Sequence, residues 1–542
     1  MIYDTIKNTK IYSDFSNSDN VKWFNRMKYK FITHIDTLYF SVYVDCANDW
    51  KLESVFGGVK RFLGDLEAYK EACLVSKSCM PVFDDVVTDV IMSPFKHAKM
   101  YYYNFGIKDK FDVFVAKTLP NGDTPPIFVQ LRSISLWLDG VYNAFDIVTN
   151  CLEKILNKYG ITILKCTESR CDYAYHTNYI QDFVHFFPMD RLSDMQVSNL
   201  KRWDYQGYFY DDKSVCDYFT LGRRKSNNIF FRVYNKVKEV IEMGYKHFFF
   251  PIWLHEGLIN EYDFWVLSKV AEMGNSFDNV DRCRALFYLE YGTNADIKSK
   301  IQSMISNPDT PLCDYTNICK GLVPDITVVC NIEFQVKRKF FDRLECSSDS
   351  DAEFLEWVKL FQNTSIDCEG FYRRHMYEFI GHAKDITNFI TYNTIRFVKY
   401  KNKKDLSLPK HKRPMADFWV RLRSCKPYEL VSSGAEYCRK YQSKIDTKLM
   451  LKSVVSKLAT YSAYVSYDED CPLDAQSTAN DVLNHLNDND LAELYYKKST
   501  LKRMELRGVN NIDIEDTVND VDFTQKQLLI EGYDLWNEWE DI

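Results

Sequence analysis

Five segments of the chain alternate apolar and polar residues with a period of two, the pattern of strands that bury one face. From Leu38 to Asp45, the residues Leu38, Phe40, Val42 and Val44 point one way. In Ile127 to Arg132, the apolar Ile127, Val129 and Leu131 oppose Gln130 and Arg132. The stretch from Arg170 to His176 puts Arg170, Asp172, Ala174 and His176 on one side. Further on, Ile229, Phe231 and Val233 oppose Phe230, Arg232 and Tyr234. The fifth segment, Asn331 to Lys337, sets Ile332, Phe334 and Val336 against Asn331, Glu333, Gln335 and Lys337. Together they predict an α+β fold on a central antiparallel sheet, with one helix-packed face and one polar face able to carry catalysis.

Apolar residues at spacings of three and four predict a helix over Val141 to Lys158. A long insertion at about 240–325 separates the fourth and fifth strands; it is aromatic from His247 to Trp253 and helical afterwards. Arg373 to Val398 reads as a helix leading into a basic run. Beyond about Leu430, helices are expected over Ser443 to Leu458, Ala475 to Leu486 and Leu491 to Arg507, joined by acidic loops. The expected organisation is a body over residues 1–430 and an acidic, helical C-terminal region over 431–542.

Composition narrows the class. With 46% hydrophobic and 27% charged residues, the 542-residue chain is an ordinary globular protein. Aromatic residues reach 15%, which suits either an aromatic-rich core or stacking on bases, the core being the commoner use. No apolar run is long enough to span a bilayer, and the N-terminal stretch has no hydrophobic signal core. A cytoplasmic protein without membrane contact is expected. The 16 cysteines include no Cys-x-x-Cys pair, which argues against a zinc finger or a redox motif and for reduced thiols. Net charge is uneven. Asp468 to Ile542 holds 19 acidic and 6 basic side chains, so this tail carries −13 and the remaining residues +6. A basic body with an acidic tail is compatible with nucleic-acid binding.

Candidate chemistry centres on Tyr234 and Arg232, a phenol and a guanidinium on one strand face. An arginine can hold a phosphate through paired N–H donors while the tyrosine oxygen attacks phosphorus. The bland alternative is a packed strand tyrosine. Just upstream, Gly222 and the cations Arg223, Arg224 and Lys225 form a positively charged turn. Asp172 and Glu333 lie on polar faces of other strands, where they are either ion-paired residues or oxygen ligands for Mg or Mn. His176 ranks below Asp172 as a ligand, because four residues of straight strand separate them by about 13 Å. Glu290 is the rival to Glu333. No histidine pair has single-residue spacing, so a His-hydrophobic-His metal motif is absent, and no Gly-rich loop with Lys-Ser/Thr is present, so an ATPase is excluded. A second basic feature joins Lys399, Lys401, Lys403, Lys404, Lys410, Lys412, Arg413, Arg421 and Arg423, with Tyr400, Phe418 and Trp419 between them. It reads either as a contact for backbone phosphates or as a solvated linker.

Four motifs in order resemble the replication initiation factor family, the initiators of staphylococcal rolling-circle plasmids and their relatives in phages and conjugative elements. They are Arg170-Cys171-Asp172, Gly222-Arg223-Arg224-Lys225-Ser226, Arg232-Val233-Tyr234-Asn235-Lys236 and Ile332-Glu333-Phe334-Gln335-Val336-Lys337-Arg338. The resemblance runs in patches from Ile35 to Ser424, including Asn393 to Trp419, and leaves the last ~120 residues unmatched. It implies that Tyr234 is the nucleophile of a DNA nickase and that Asp172 and Glu333 bind the metal. It further implies origin DNA as substrate, a 5′-phosphotyrosyl intermediate, a homodimer and recruitment of a host helicase. Three departures stand out: His176 for a second Asp, Gln130 for an occasional Glu, and Asn331 for a common Arg. The insertion is also longer. These departures keep open a non-catalytic DNA-binding plasmid or phage regulator; a conjugative relaxase of the same chemistry is a third reading that differs only in biological setting.

Overall fold

The computed structural model describes residues 29–425 except 46–49, 51–56, 95–99, 119–124, 182–185, 188–191, 199, 201, 211–212, 347–371 and 401–405, and beyond them 437–439, 447–466, 473–485 and 495. The chain divides into two compact units, Met1–Cys438 and Arg439–Ile542.

The first unit is built on one antiparallel sheet of eleven strands. In chain order these are β1 (Phe31–Val44), β2 (Met80–Pro81), β3 (Val90–Ser93), β4 (Tyr101–Ile107), β5 (Phe111–Ala116), β6 (Ile127–Leu131) and β7 (Ile163–Thr177). After the short β8 (Gln196–Ser198), which pairs elsewhere, come β9 (Trp203–Tyr210), β10 (Lys213–Leu221), β11 (Ile229–Asn235) and β12 (Cys330–Lys337). The spatial order is β2-β3-β4-β5-β6-β1-β7-β12-β11-β10-β9. All five alternating segments fall in the contiguous centre, β6-β1-β7-β12-β11.

One face of this sheet makes the larger core. Ile35, Leu38 and Phe40 of β1, Cys171, Tyr173 and Tyr175 of β7, Phe231 and Val233 of β11, and Ile332 and Phe334 of β12 are buried there. Helices α1 (Gly57–Ser76) and α3 (Val141–Asn157) close it, together with the helices Arg374–Gly381, Ala383–Phe389 and Asp417–Arg423.

The other face is polar only in part. The insertion folds as helices α4 (Lys236–Met243), α5 (Phe249–Glu256), α6 (Glu261–Glu272), α7 (Val280–Tyr291), α8 (Ala295–Ser306) and α9 (Leu312–Cys319). With Trp137 of α2 (Ser133–Leu138) they build a second core over one end of this face, reaching Ile32 of β1 and Ala174 of β7. The expected open polar face is therefore roofed at one end. Strand β11 runs straight into α4, whose first turn is capped by the Asn235 side chain accepting from the Lys238 amide.

In the second unit, Thr447–Val465 and Ala475–His485 are helices, tied by a Tyr461 hydroxyl donating to Asp481 at 2.7 Å and Ser462 Oγ to the Leu473 carbonyl at 2.9 Å. The helix expected over residues 491–507 lies outside the described residues, apart from Tyr495. Among the described residues no helix is long and apolar enough to cross a membrane.

Candidate active site

Register brings the candidates together. Arg232 of β11 faces Glu333 of β12, and Tyr234 faces Asn331. Across β12 and β7, Asn331 faces His176, Glu333 faces Ala174 and Gln335 faces Asp172. Residues directly opposite in an antiparallel pair share a face and stand within contact range. Tyr234, Arg232, Glu333 and Asp172 thus occupy one side of three adjacent strands.

The tyrosine, arginine and glutamate interlock. Arg232 donates from Nε to Glu333 Oε1 at 2.9 Å and from Nη2 to Oε2 at 2.8 Å, so that neither bond uses Nη1. The Tyr234 hydroxyl donates to Glu333 Oε2 at 3.3 Å and accepts from Asn331 Nδ2 at 2.9 Å and Lys236 Nζ at 3.3 Å. Asn331 Nδ2 also donates to Glu333 Oε2 at 3.2 Å. The Arg232 guanidinium carbon sits 4.8 Å from the Tyr234 ring centre. Tyr234 is 8% exposed and Glu333 1%, whereas the Arg232 side chain keeps 24% of its surface.

Burial pushes the Tyr234 phenol well above its ordinary range; Lys236 opposes the rise and Glu333 adds to it. The phenol is therefore protonated at neutral pH. Lys236 is fully buried, which disfavours its charge, yet Tyr234, Asp36 and Glu239 outweigh burial and hold it charged. Glu239 accepts from Lys236 at 2.7 Å and from Lys246 at 2.6 Å. Asp36 accepts from Ser133 Oγ at 2.6 Å and Trp137 Nε1 at 2.9 Å. Burial would raise Asp36, but Lys236, Lys246 and the Ser133 bond hold it below the usual carboxylate range.

Asp172 has its own arginine. Arg170 Nε donates to Oδ1 at 2.8 Å, and Nη2 donates to Oδ2. Burial raises the Asp172 carboxyl to about 6 against these Arg170 bonds, with the Glu333 charge adding to the rise. Both oxygens of Asp172 and of Glu333 are thus committed to guanidinium groups. Among the described residues no three His, Cys, Asp or Glu side chains converge as an ion would require. A divalent ion would have to take a carboxylate oxygen from Arg170 or Arg232, so the residues as they stand do not fit one.

His176 sits in an aromatic cage at the roofed end. Its Nδ1 accepts from Trp253 Nε1 at 3.1 Å, its ring stacks on Trp137 at 4.7 Å, and Nε2 has no hydrogen-bond partner among the described residues. Burial, with Lys236 next, depresses its pKa well below the usual histidine value. Glu290 is exposed on α7 rather than on a strand.

The basic candidates divide. Gly222 takes φ +87°, a conformation that favours glycine, and opens the turn bearing Arg223, Arg224 and Lys225. The turn leans over the polar face: Arg224 Nε donates to Gln335 Oε1 at 3.2 Å, and Lys337 donates to the Lys225 carbonyl. Lys401, Lys403 and Lys404 lie outside the described residues. Lys410 donates to the Ser193 carbonyl at 2.9 Å, and Arg413 spends its donors on the carbonyls of Leu408, Asp194 and Leu406. Phe418 and Trp419 are core residues, not a stacking surface; Trp419 packs 6.1 Å from Phe231. The part of the basic run around them therefore packs on the face opposite Tyr234.

Lys236 is the residue that strand alternation alone did not flag. Its signal was present, two positions beyond Tyr234 in the same Arg-Val-Tyr-Asn-Lys segment.

The structure is similar to that of a rolling-circle replication initiator protein from Geobacillus stearothermophilus, at 12% sequence identity and a TM-score of 0.32, over 74% of this chain and 100% of that one. No family profile matches the chain, and no curated protein matches it.

Proposed function

We propose that the chain is a rolling-circle replication initiator, a DNA nickase and strand transferase with Tyr234 as nucleophile. One observation carries the reading: Tyr234, Arg232 and Glu333 interlock on a single sheet face, with Arg232 still partly exposed. The scissile phosphate would take the Arg232 Nη1 donors that Glu333 leaves unused. The Tyr234 oxygen then bonds to phosphorus while the bond from phosphorus to the 3′ oxygen breaks. Glu333 Oε2, already the acceptor of the phenol proton, receives it, the departing 3′ oxygen takes a proton from solvent, and Glu333 returns its own to solvent, so protons balance. Lys236 stabilises negative charge as it develops on the phenol oxygen. The products are a 5′-phosphotyrosyl protein and a free 3′ hydroxyl able to prime synthesis. Origin DNA as substrate, a homodimer and recruitment of a host helicase belong to the same proposal and rest on the motif resemblance.

The burial of Tyr234 favours a second reading, a DNA-binding regulator that keeps the sheet without the chemistry. One substitution separates the two. Tyr234→Phe removes only the nucleophilic oxygen, so the variant should fold and bind origin DNA while forming no denaturation-resistant adduct with supercoiled plasmid. An adduct from the variant in equal yield, or none from the wild type, refutes the nickase reading.

A further inference from the structure

At the end of the polar face away from Tyr234, like charges are brought together rather than kept apart. Lys337 of β12 stands directly opposite Arg170 of β7. Two cations in that relation destabilise a sheet. Arg224 reaches the same place through Gln335, two residues before Lys337, and Lys339 stands on the short helix Arg338–Phe341 that follows β12. Burial and then the charges of Arg170, Lys339 and Arg224 depress the Lys337 ammonium, and no carboxylate counts among the groups acting on it. Asp172 is the acidic side chain of this cluster, and its two oxygens already belong to Arg170. Arg224, Lys337 and Lys339 are left without a carboxylate partner among the described residues. A protein gains nothing in stability from such crowding, which a bound anion would relieve.

The spacing says what kind of anion. Lys337 lies four residues along β12 from Glu333, about 13 Å on a strand. That is beyond the oxygens of one phosphate held at Arg232. A ligand engaging both places must carry at least two phosphates along an extended backbone. We infer that Arg224, Lys337 and Lys339, backed by Arg170, form a second phosphate subsite for the nucleic-acid strand whose scissile phosphate lies at Arg232. The inference rests on the proposed reading of the Tyr234 site for its ligand, though not for the cation cluster itself.

The test uses the full-length chain carrying Tyr234→Phe, so that binding is read without cleavage. Lys337→Gln and Lys339→Gln are added singly and together, and each protein is titrated with inorganic phosphate and with a single-stranded oligonucleotide long enough to span the face, at several salt concentrations. Each substitution should weaken oligonucleotide binding about fivefold at low salt. It should also lower the slope of log affinity against log salt by about 0.7, the value for one single-strand phosphate contact. Phosphate alone should bind too weakly to distinguish the variants. Thermal stability of Lys337→Gln should hold or rise, because a repulsion is removed. Unchanged salt slopes overturn the inference, as does a marked loss of stability in Lys337→Gln, which would make the lysine structural. Phosphate binding that depends on Lys337 while oligonucleotide binding does not also overturns it, leaving a lone-anion site. A missing covalent adduct from the wild type, with the slope changes intact, sinks the nickase reading and leaves the subsite standing.

Discussion

Lys236 Nζ lies 3.3 Å from the Tyr234 phenol oxygen, inside a region where the lysine has no solvent contact at all. An ammonium at that distance favours the tyrosinate over the phenol by an amount on the order of a few kcal/mol at the effective dielectric of a protein interior. Burial works against the tyrosinate, and Lys236 is the largest opposing influence. Lys236→Met keeps the packing of the stem and removes the charge. Adduct formation should slow by about 100-fold, and the Tyr234 phenol should titrate at still higher pH, measurable by ultraviolet difference spectroscopy. An unchanged rate would make Lys236 no more than a partner for Glu239.

The two carboxylate–arginine pairs should respond differently. Glu333→Gln strips Arg232 of its bidentate partner and Tyr234 of its proton acceptor at once. Adduct formation should fall by about 100-fold or more, with a stability loss of about 3 kcal/mol for breaking a buried pair. Asp172→Asn should change stability less at neutral pH, because burial already disfavours the Asp172 charge, and should leave more activity, because the hydrogen bonds of Asp172 go to Arg170 and not to Tyr234. Mg or Mn enters as a further proposal. With both carboxylates held by arginines, the free protein should show no saturable Mn²⁺ binding that depends on Asp172 or Glu333 in a paramagnetic titration. Such binding should emerge only with an oligonucleotide present to compete for Arg232. Dependent binding in the free protein would show that the arginines yield readily.

Much of this site was legible from period-two alternation, which assigned Tyr234, Arg232, Glu333 and Asp172 to polar faces correctly. The register that sets Arg232 against Glu333 was not, because the insertion separates the two strands and periodicity carries no pairing information. Strand β1 read as starting at Leu38 because a bulge between Ile35 and Thr37 shifts the alternation, and the true start is Phe31. Strand β5 escaped notice because apolar side chains lie on both of its faces; Val113 and Phe114 are adjacent and both buried. The roof over His176 was equally hidden. The insertion's aromatic helices were evident, but nothing in their spacing says which surface they cover.

Stability should depend on pH through Asp172. Its folded carboxyl titrates at about 6, raised by burial, while an unfolded aspartate titrates near about 3.9. Between these values the folded protein keeps a proton that the unfolded chain has released. The associated stability is complete below about pH 4 and lost as pH rises through about 6, a change on the order of 3 kcal/mol. Asp172→Asn abolishes the titration, so its stability should vary less across that window when denaturant unfolding is compared at about pH 4.5 and pH 7. Parallel curves for the two proteins would mean that Arg170 keeps Asp172 ionised throughout.

The acidic tail gives a prediction in which the fold sets the cut site. Ending the chain after about Ser466 would strip Ala475–His485 from Thr447–Val465 and leave Tyr461 and Ser462 without Asp481 and Leu473. The compact first unit instead ends at Cys438, which makes a chain of residues 1–438 the better test. Residues 439–467 hold 6 basic and 1 acidic side chains and residues 468–542 carry −13, so the truncation removes a net −8, leaves +1 on residues 1–438, and takes away charge that opposes approach of DNA. Non-specific affinity for duplex DNA should therefore rise about tenfold at low ionic strength. The gain should shrink toward physiological salt, where charges are screened beyond about 8 Å. Binding titrations of the full and shortened chains at two salt concentrations measure this. Equal affinities at both would show that the tail does not compete with DNA, and an equal gain at both would point to direct steric occlusion rather than charge.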